Sequence, residues 1–471
     1  MSTNGSGKMT ALVAPTGTDI LDLAANIVHQ SSSIAAYLHA NNNAVRQTTS
    51  PGPDACDPPD TPEYNALHSS LTASLEKLQH LIDGPHRAMR TFICSGNDLA
   101  AFQVAFDFGF FEIVPLEEGV DMPLNELAAK AGMDVDRTSR VVRILATHRV
   151  FREARPGFVS HTATSAIFAR DEELTCAGHY MLDEMWKAAT SMAAAIREAP
   201  HESDSEHCGF MAGLGVPMFT YYAQNPKLAA RFAKAMAGVT RVDRQITELR
   251  DCFDWGDLKG PVVDVGGGSG HISISLARMF PHLRFIVQDG SLDMLAQGKQ
   301  MLGDDLAPGR DDESHARVTF MQHNFFDLQP LRNVGAFFIR QCTHNWCDRD
   351  VVNILRNFVP GLEGSTLGTP LLINDTSLCP LDFHLVYLHD VFARKLTDAG
   401  KQLVLPVPGT IPLHEERSLR QLDMLMMIGL GAKQRTLAEF ESLLRQADER
   451  FKLRAVRAEG TMGLLEVYLE Q

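Results

Sequence analysis

The apolar positions of this chain change rhythm once, near residue 258. Upstream they recur at helical spacing, as in Ile20-Leu-Asp-Leu-Ala-Ala-Asn-Ile-Val28 and Ile34-Ala-Ala-Tyr-Leu38. Two more helices are expected at about 63–83 and 98–111, after a polar, Pro-rich linker at roughly 47–62. Residues 1–16, rich in Ser, Thr and Gly, predict disorder. Segments 124–132 and 137–146 have a helix-turn-helix rhythm with a glycine between them, and 150–159 has the pattern of a short hairpin. Residues 121–170 therefore resemble a winged helix.

From 258 onward, short apolar runs alternate with helical stretches. The runs are 262–265, 283–288, 318–322, 336–340 and 370–374, and the helices are 271–280, 292–303 and 349–358. This is the α/β pattern of a doubly wound, mostly parallel sheet. Such sheets bind ligands at the carboxyl ends of their strands. The residues closing each strand are the candidates: the glycine turn at 266–270, Asp289, Asn324, Arg340 and Asp375.

Composition narrows the class without changing the picture. A chain of 471 residues, 45% hydrophobic and 21% charged, suits a globular protein of two or three domains. No apolar run approaches the ~20 residues that span a bilayer, and the first residues lack a secretory pattern, so a cytoplasmic location is expected. A net charge of -15 argues against nucleic acid as the main partner. The basic side chains of the winged-helix-like unit (Lys130, Arg137, Arg140, Arg143, Arg149, Arg152, Arg155) leave a DNA-binding role open. It ranks below dimerisation or a substrate lid, because one basic face is more often a solvated helix surface. The eight cysteines form no Cys-x-x-Cys pair and no zinc-finger spacing, so no metal site or disulfide framework is expected.

The candidate chemistry starts in Val262-Val-Asp-Val-Gly-Gly-Gly-Ser-Gly270. A strand ends at Asp264, and glycines at 266, 268 and 270 permit a tight turn that a ligand can approach closely. The spacing is neither the Gly-x-Gly-x-x-Gly of dinucleotide sites nor a phosphate-binding loop. It resembles the first motif of S-adenosylmethionine-dependent methyltransferases. Asp289, closing the next strand, stands near the spacing at which an acid accepts both ribose hydroxyls. After the fourth strand comes Arg340-Gln-Cys-Thr-His-Asn-Trp-Cys-Asp348, where His344 is placed as a general base.

Residues from about 90 to 471 resemble the cation-independent O-methyltransferases of the plant caffeate and fungal polyketide type. The shared stretches are the glycine run, Gln288-Asp-Gly290, His323-Asn-Phe-Phe326, Arg-x-x-x-His-x-Trp and Ala432-Lys-Gln-Arg-Thr-Leu-Ala-Glu-Phe440. Phe232-Ala-Lys-Ala-Met236 resembles the family's pocket helix. The resemblance implies a Rossmann-like methyltransferase domain at 258–471. Before it would come an N-terminal helical region (17–120), a dimerisation unit (121–170) and pocket helices (171–257). It further implies S-adenosylmethionine as cofactor, no metal, a homodimer and a small aromatic, polyketide-type substrate. In that scheme His344 removes a phenolic proton with Asp375 as its acidic partner. Asp264 and the three glycines belong to the cofactor loop, Asp289 binds ribose, Asn324 and Phe325 flank adenine, and Arg340 lines the crevice. Met236, Asn345, Trp346, Met424 and Met427 face the substrate.

Several positions depart from the family pattern. Asn345 replaces the Asp of His-Asp-Trp, Gln434 replaces a carboxylate that supports the base, and Asn324 replaces an adenine-side Asp. A base with less carboxylate support should be less basic, and turnover slower. Residues 377–402 interrupt a run that is continuous in the family, either as an active-site lid or as a retained intron; removing them restores the run. Two other functions compete: a cofactor-binding homologue that catalyses a rearrangement, and a non-catalytic regulatory protein.

Overall fold

The computed structural model describes residues 17–41, 58–59, 61–243, 246–304, 317–376, 412–458 and 462–470. The segments 1–16 and 377–402 lie outside the described residues, as does most of the linker at 47–62. Among the described residues, ten strands form two sheets. The smaller holds β1 (Met122–Pro123), β2 (Phe151–Arg152) and β3 (Phe158–His161) in the order β1-β3-β2. The larger holds β4 (Pro261–Val265), β5 (Arg284–Asp289), β6 (Val318–Gln322), β7 (Ala336–Arg340), β8 (Leu371–Thr376), β9 (Phe451–Ala458) and β10 (Met462–Leu469).

The larger sheet runs β6-β5-β4-β7-β8-β10-β9. Strands β4 to β8 pair in parallel, and β10 and β9 close the far edge in antiparallel fashion. Parallel strands are buried on both faces, and the side chains divide by parity. Val263, Val265, Phe337, Ile339 and Ile373 pack on one face against the helices Asp348–Glu363 and Leu437–Ala447. Val262, Phe285, Val287, Phe338 and Leu372 pack on the other against Trp255 and the helix His271–Met279. Fully buried rings such as Trp255, Phe337 and Phe338 contribute about 1.5–3 kcal/mol each relative to exposure. The chain order reverses between β4 and β7. That is the switch point at which two strand ends splay apart and leave a crevice.

Among the described residues, two helical layers accompany the larger sheet, the second drawing on chain from both before and after its parallel strands. The helices Leu124–Ala131 and Val135–Thr147 meet at Gly132, whose left-handed φ of 65° ends the first helix. The β2–β3 pairing follows them in sequence, with Phe151 opposite His161. Four of the basic side chains of this unit pair with acids at the exposed surface: Lys130–Glu126, Arg140–Asp136, Arg143–Glu153 and Arg155–Asp121. A second layer, centred on Tyr180, Phe210, Tyr222 and Leu430, joins the helices Glu172–Leu182 and Met218–Gln224 to the Met-rich helix Leu413–Leu430.

Some elements differ from expectation. The two N-terminal helical stretches form one helix, Gly17–Ala40. The helices expected at 63–83 and 98–111 are parts of Pro62–Asp107, which bends at Gly84 (φ 63°, ψ 177°) before Pro85. The Gly-Pro pair predicts a stop, but proline is compatible with the first turn of the helix that resumes there. The second helix ends at Asp107, because Gly109 turns the chain at φ 65° before the short helix Phe110–Ile113. Strands β9 and β10 were not expected at all.

Candidate active site

The carboxyl ends of β4 and β7 bring the two candidate halves together. After β4 the backbone turns through Gly266 (φ 73°), Gly268 (φ 58°) and Gly270 (φ 71°), all in the left-handed region that favours glycine. The turn is held from β5: the Gly266 and Gly267 amides donate to the Gln288 carbonyl (2.8 and 3.0 Å). The Gly268 amide donates to Asp289 Oδ2 at 3.0 Å, and the Ser291 amide donates to Asp289 Oδ1 at 2.8 Å. Asp289 thus orders the loop through both carboxylate oxygens. A Cβ at Gly266 would come within 2.7 Å of Cys342 Sγ, and one at Gly268 within 3.2 Å of the Met294 methyl. The turn is a floor with no room for side chains of its own.

Asp264 lies beneath this floor. Its side chain is buried, points to the helix His271–Met279 and accepts from Ser273 Oγ at 2.6 Å. Burial pushes its carboxyl up to about 6, with the Ser273 hydroxyl and Arg340 opposing the shift. Arg340, at the end of β7, donates to Asn374 Oδ1 on β8 and sits in register with it. Asn324 is exposed and accepts from the Phe326 amide at 3.1 Å, and the Phe325 ring lies against Gly266.

Beyond β7 the chain enters a short 3-10 turn, Thr343–Asn345, through Gln341, a non-glycine residue at φ 52°. Such strained positions cluster where a side chain has to be aimed. The turn carries His344, mostly buried, with Nδ1 2.5 Å from Asp375 Oδ1. The ring nitrogen makes no aligned hydrogen bond there, so the contact is a close approach of ring and carboxylate. Asp375 also accepts from the Thr343 hydroxyl and, at 3.2 Å, from the His344 amide. One carboxylate therefore holds both ring and backbone of the histidine. Asp375 itself is fixed by β8, paired opposite Gly463 of β10.

The remaining candidates divide. Trp346 stands edge-on to Phe325 and Phe326, with centroids 5.8 and 4.7 Å away. It also stacks on Phe219 of the helix Met218–Gln224 at 6.2 Å, so it joins the sheet to the helical layer. Asn345 turns its amide back to the Gln341 carbonyl (3.2 Å). Met236 is half-buried against the helical core. On the Met-rich helix, Leu425, Met426 and Ile428 pack into that core, while Met424 is exposed and Met427 half-buried outside it. Gln434 is fully buried, its backbone amide donating to Asp423 Oδ1 (2.8 Å), and neither polar atom of its side chain meets a protein partner.

Sequence reasoning missed three groups. Gln288, whose carbonyl holds the glycine turn, exchanges amide hydrogen bonds with Gln329 (3.1 and 2.8 Å). Met294 covers Gly268. Arg435 is 1% exposed and reaches the turn of His344. A lone arginine in the polar run Lys433-Gln-Arg-Thr436 gives no local signal of burial.

Comparison with known proteins follows this geometry. Residues 190–376 match the O-methyltransferase domain and residues 94–171 the O-methyltransferase dimerisation domain. The chain is 56% identical over 470 residues to O-methyltransferase sol2 of Alternaria solani, covering 99% of each. A crystal structure of OxaC in complex with SAH and oxaline is similar at TM-score 0.71 and 19% identity, over 96% of this chain and 99% of that one. A structure titled a pericyclic reaction enzyme is similar at TM-score 0.63 and 19% identity, over 86% and 94%. The last two likenesses concern the fold alone.

Proposed function

The chain belongs to the O-methyltransferase family, and from that premise we propose that it methylates a phenolic hydroxyl of a small aromatic, polyketide-type metabolite, with S-adenosylmethionine as cofactor and His344 as general base. The observation that supports this reading is the His344–Asp375 pair, held just past β7 and at β8, on the same end of the sheet as the glycine turn after β4.

The residues present suit the cofactor. A side-chain-free turn at Gly266, Gly268 and Gly270 accommodates a ligand lying close to backbone, and Asp289 at the strand end offers carboxylate oxygens to ribose hydroxyls. Phe325, against Gly266, supplies a flat apolar face, with Asn324 and Arg340 at the crevice margin. When bound, S-adenosylmethionine supplies an electrophilic methyl group on a positively charged sulfur.

The chain's own task is then to hold and deprotonate the acceptor. Asp375 occupies the Nδ1 side of His344 and leaves Nε2 to take the phenolic proton. The same carboxylate stabilises the imidazolium that results. Trp346, Met236, Met424 and Met427 offer rings and thioethers to a flat substrate, and Asn345 borders it; thioethers adapt well to aromatic surfaces. Holding phenol and methyl donor in line is worth more than any single contact, since orientation alone can supply about 7–11 kcal/mol of the barrier.

A homodimer accompanies this reading. Met89, Phe92 and Ile93 are more than half exposed on the resumed part of the helix Pro62–Asp107, next to the dimerisation-domain match. A helical stretch with so little packing of its own is marginal in water.

Incubation with methyl-labelled S-adenosylmethionine and a panel of phenols tests the proposal. Label should pass to product, and His344→Ala should lower turnover at least ~100-fold without loss of cofactor affinity. Conversion without label would point to a rearrangement instead, and an undiminished His344→Ala variant would remove histidine from the mechanism.

A further inference from the structure

Arg435 is among the largest fully buried side chains of the described residues, and two of its guanidinium nitrogens reach the carbonyls on either side of His344. Nη1 donates to the Thr343 carbonyl at 2.7 Å and Nη2 to the Trp346 carbonyl at 2.6 Å. These two carbonyls flank the turn that bears His344, one before it and one after. Nε donates to Asp348 Oδ1 at 2.9 Å, at the first position of the helix Asp348–Glu363. A planar fork with fixed donors is suited to span two carbonyls at a set separation, which a single ammonium cannot do.

The fork is itself anchored. Asp348 Oδ2 also meets Lys433 Nζ at 3.0 Å, and Lys433 Nζ meets Glu439 Oε1 at 2.8 Å. Glu439 closes a capping box with Thr436 at the start of the helix Leu437–Ala447. Burial works to raise the Asp348 carboxyl, but Arg435 and Lys433 outweigh it and keep it below its usual range, so the anchor is an anion at neutral pH. His344 is thereby gripped from two directions. Asp375 holds its ring and amide from β8, and Arg435 holds the backbone on either side from the segment after the Met-rich helix.

We propose that Arg435 is a positioning residue for methyl transfer, setting the turn so that His344 Nε2 meets the acceptor hydroxyl. This rests on the reading of His344 as base. Arg435 touches neither reactant in this scheme and acts through backbone carbonyls. Its loss should therefore lower kcat while leaving cofactor binding intact. A misplacement of about 1 Å at a reacting group costs on the order of 100-fold.

The test is a double-mutant cycle on the full chain, with labelled S-adenosylmethionine and the best phenol from the panel. Arg435→Met should reduce kcat roughly 100-fold, with the Kd for S-adenosylmethionine changed less than about threefold. In the His344→Ala background the same change should cost almost nothing further, because its effect passes through the histidine. Should Arg435→Met fail to fold, Arg435→Lys keeps the charge and loses the fork, and Asp348→Asn loosens the anchor from a half-exposed position. Both should show the same kcat loss and the same non-additivity. Equal, independent losses in both backgrounds, or a kcat within threefold of the parent in all three variants, would overturn the role of Arg435. A fully active His344→Ala variant would instead defeat the base assignment, and the two failures are read from different corners of the cycle.

Discussion

Asp264 shows how burial sets the behaviour of a single group. Its carboxyl is enclosed beneath the glycine turn and raised from 3.8 to about 6, so the folded chain holds that proton more tightly than the unfolded chain does. The associated stability is fully present below the ordinary carboxylate range and is lost as pH rises through about 6. At pH 7.5 the ionised group costs on the order of 2–3 kcal/mol. Asp264→Asn, which can still accept from Ser273, should raise the melting temperature at pH 7.5 and change it little at pH 4.5. Thermal denaturation at the two values checks this, and a gain confined to the acid side would contradict it. At this scale the glycines, Asp289, His344 and Asp375 were legible because each ends a strand or opens a turn. Arg435 and the Gln288–Gln329 pair were not. Their partners lie far away in sequence, and for Arg435 nothing adjacent announces burial, whereas Gln288 sits at the end of a buried strand but shows no sign of the partner it meets.

Between β7 and the turn that bears the histidine, the connection is two residues long, Gln341 and Cys342. Gln341 stands at φ 52°, with its amide donating to the Asn374 carbonyl at 2.8 Å. That left-handed step lets the chain leave the sheet and present His344 toward the glycine turn. A β-branched side chain is poorly tolerated there, so Gln341→Val should destabilise the fold by about 1–2 kcal/mol, whereas Gln341→Gly should fold and keep the turn. Urea unfolding of both variants distinguishes them, and equal stabilities would argue that the position is unstrained. Apolar runs and their helical partners outlined β4 to β8 well, since strands buried on both faces leave short, nearly continuous hydrophobic stretches. Strand β9 escaped because charged residues such as Lys452, Arg454 and Arg457 interrupt it at the sheet edge, whereas the apolar run of β10 was there to be read. The helical segment 85–97 escaped for a different reason. Its apolar residues Met89, Phe92 and Ile93 do recur at helical spacing, but the stretch is short and opens on the Gly84-Pro85 pair, which reads as a break.

The exposed apolar face of that segment has its consequence at the level of the molecule. Met89, Phe92 and Ile93 should be covered by a second copy, and charge placed there should be costly to the assembly but not to the fold. Phe92→Lys with Ile93→Glu is expected to move the protein from dimer to monomer in sedimentation velocity with an unchanged circular dichroism spectrum; a dimer that persists would place the contact elsewhere. No helix among the described residues is long and apolar enough to cross a membrane. The pairing of β8 with β10 has a further consequence, in time rather than space. Asn374 donates to the Gly463 carbonyl at 2.9 Å across 89 residues of sequence, and Asp375 is in register with that same glycine. A growing chain therefore exposes its glycine turn and its histidine well before the strand that fixes the histidine's carboxylate partner exists. At roughly 5–20 residues per second, that interval is on the order of 5–20 s. During it Asp375 lacks the strand it pairs with, so the His344–Asp375 geometry is set only after synthesis has passed β10.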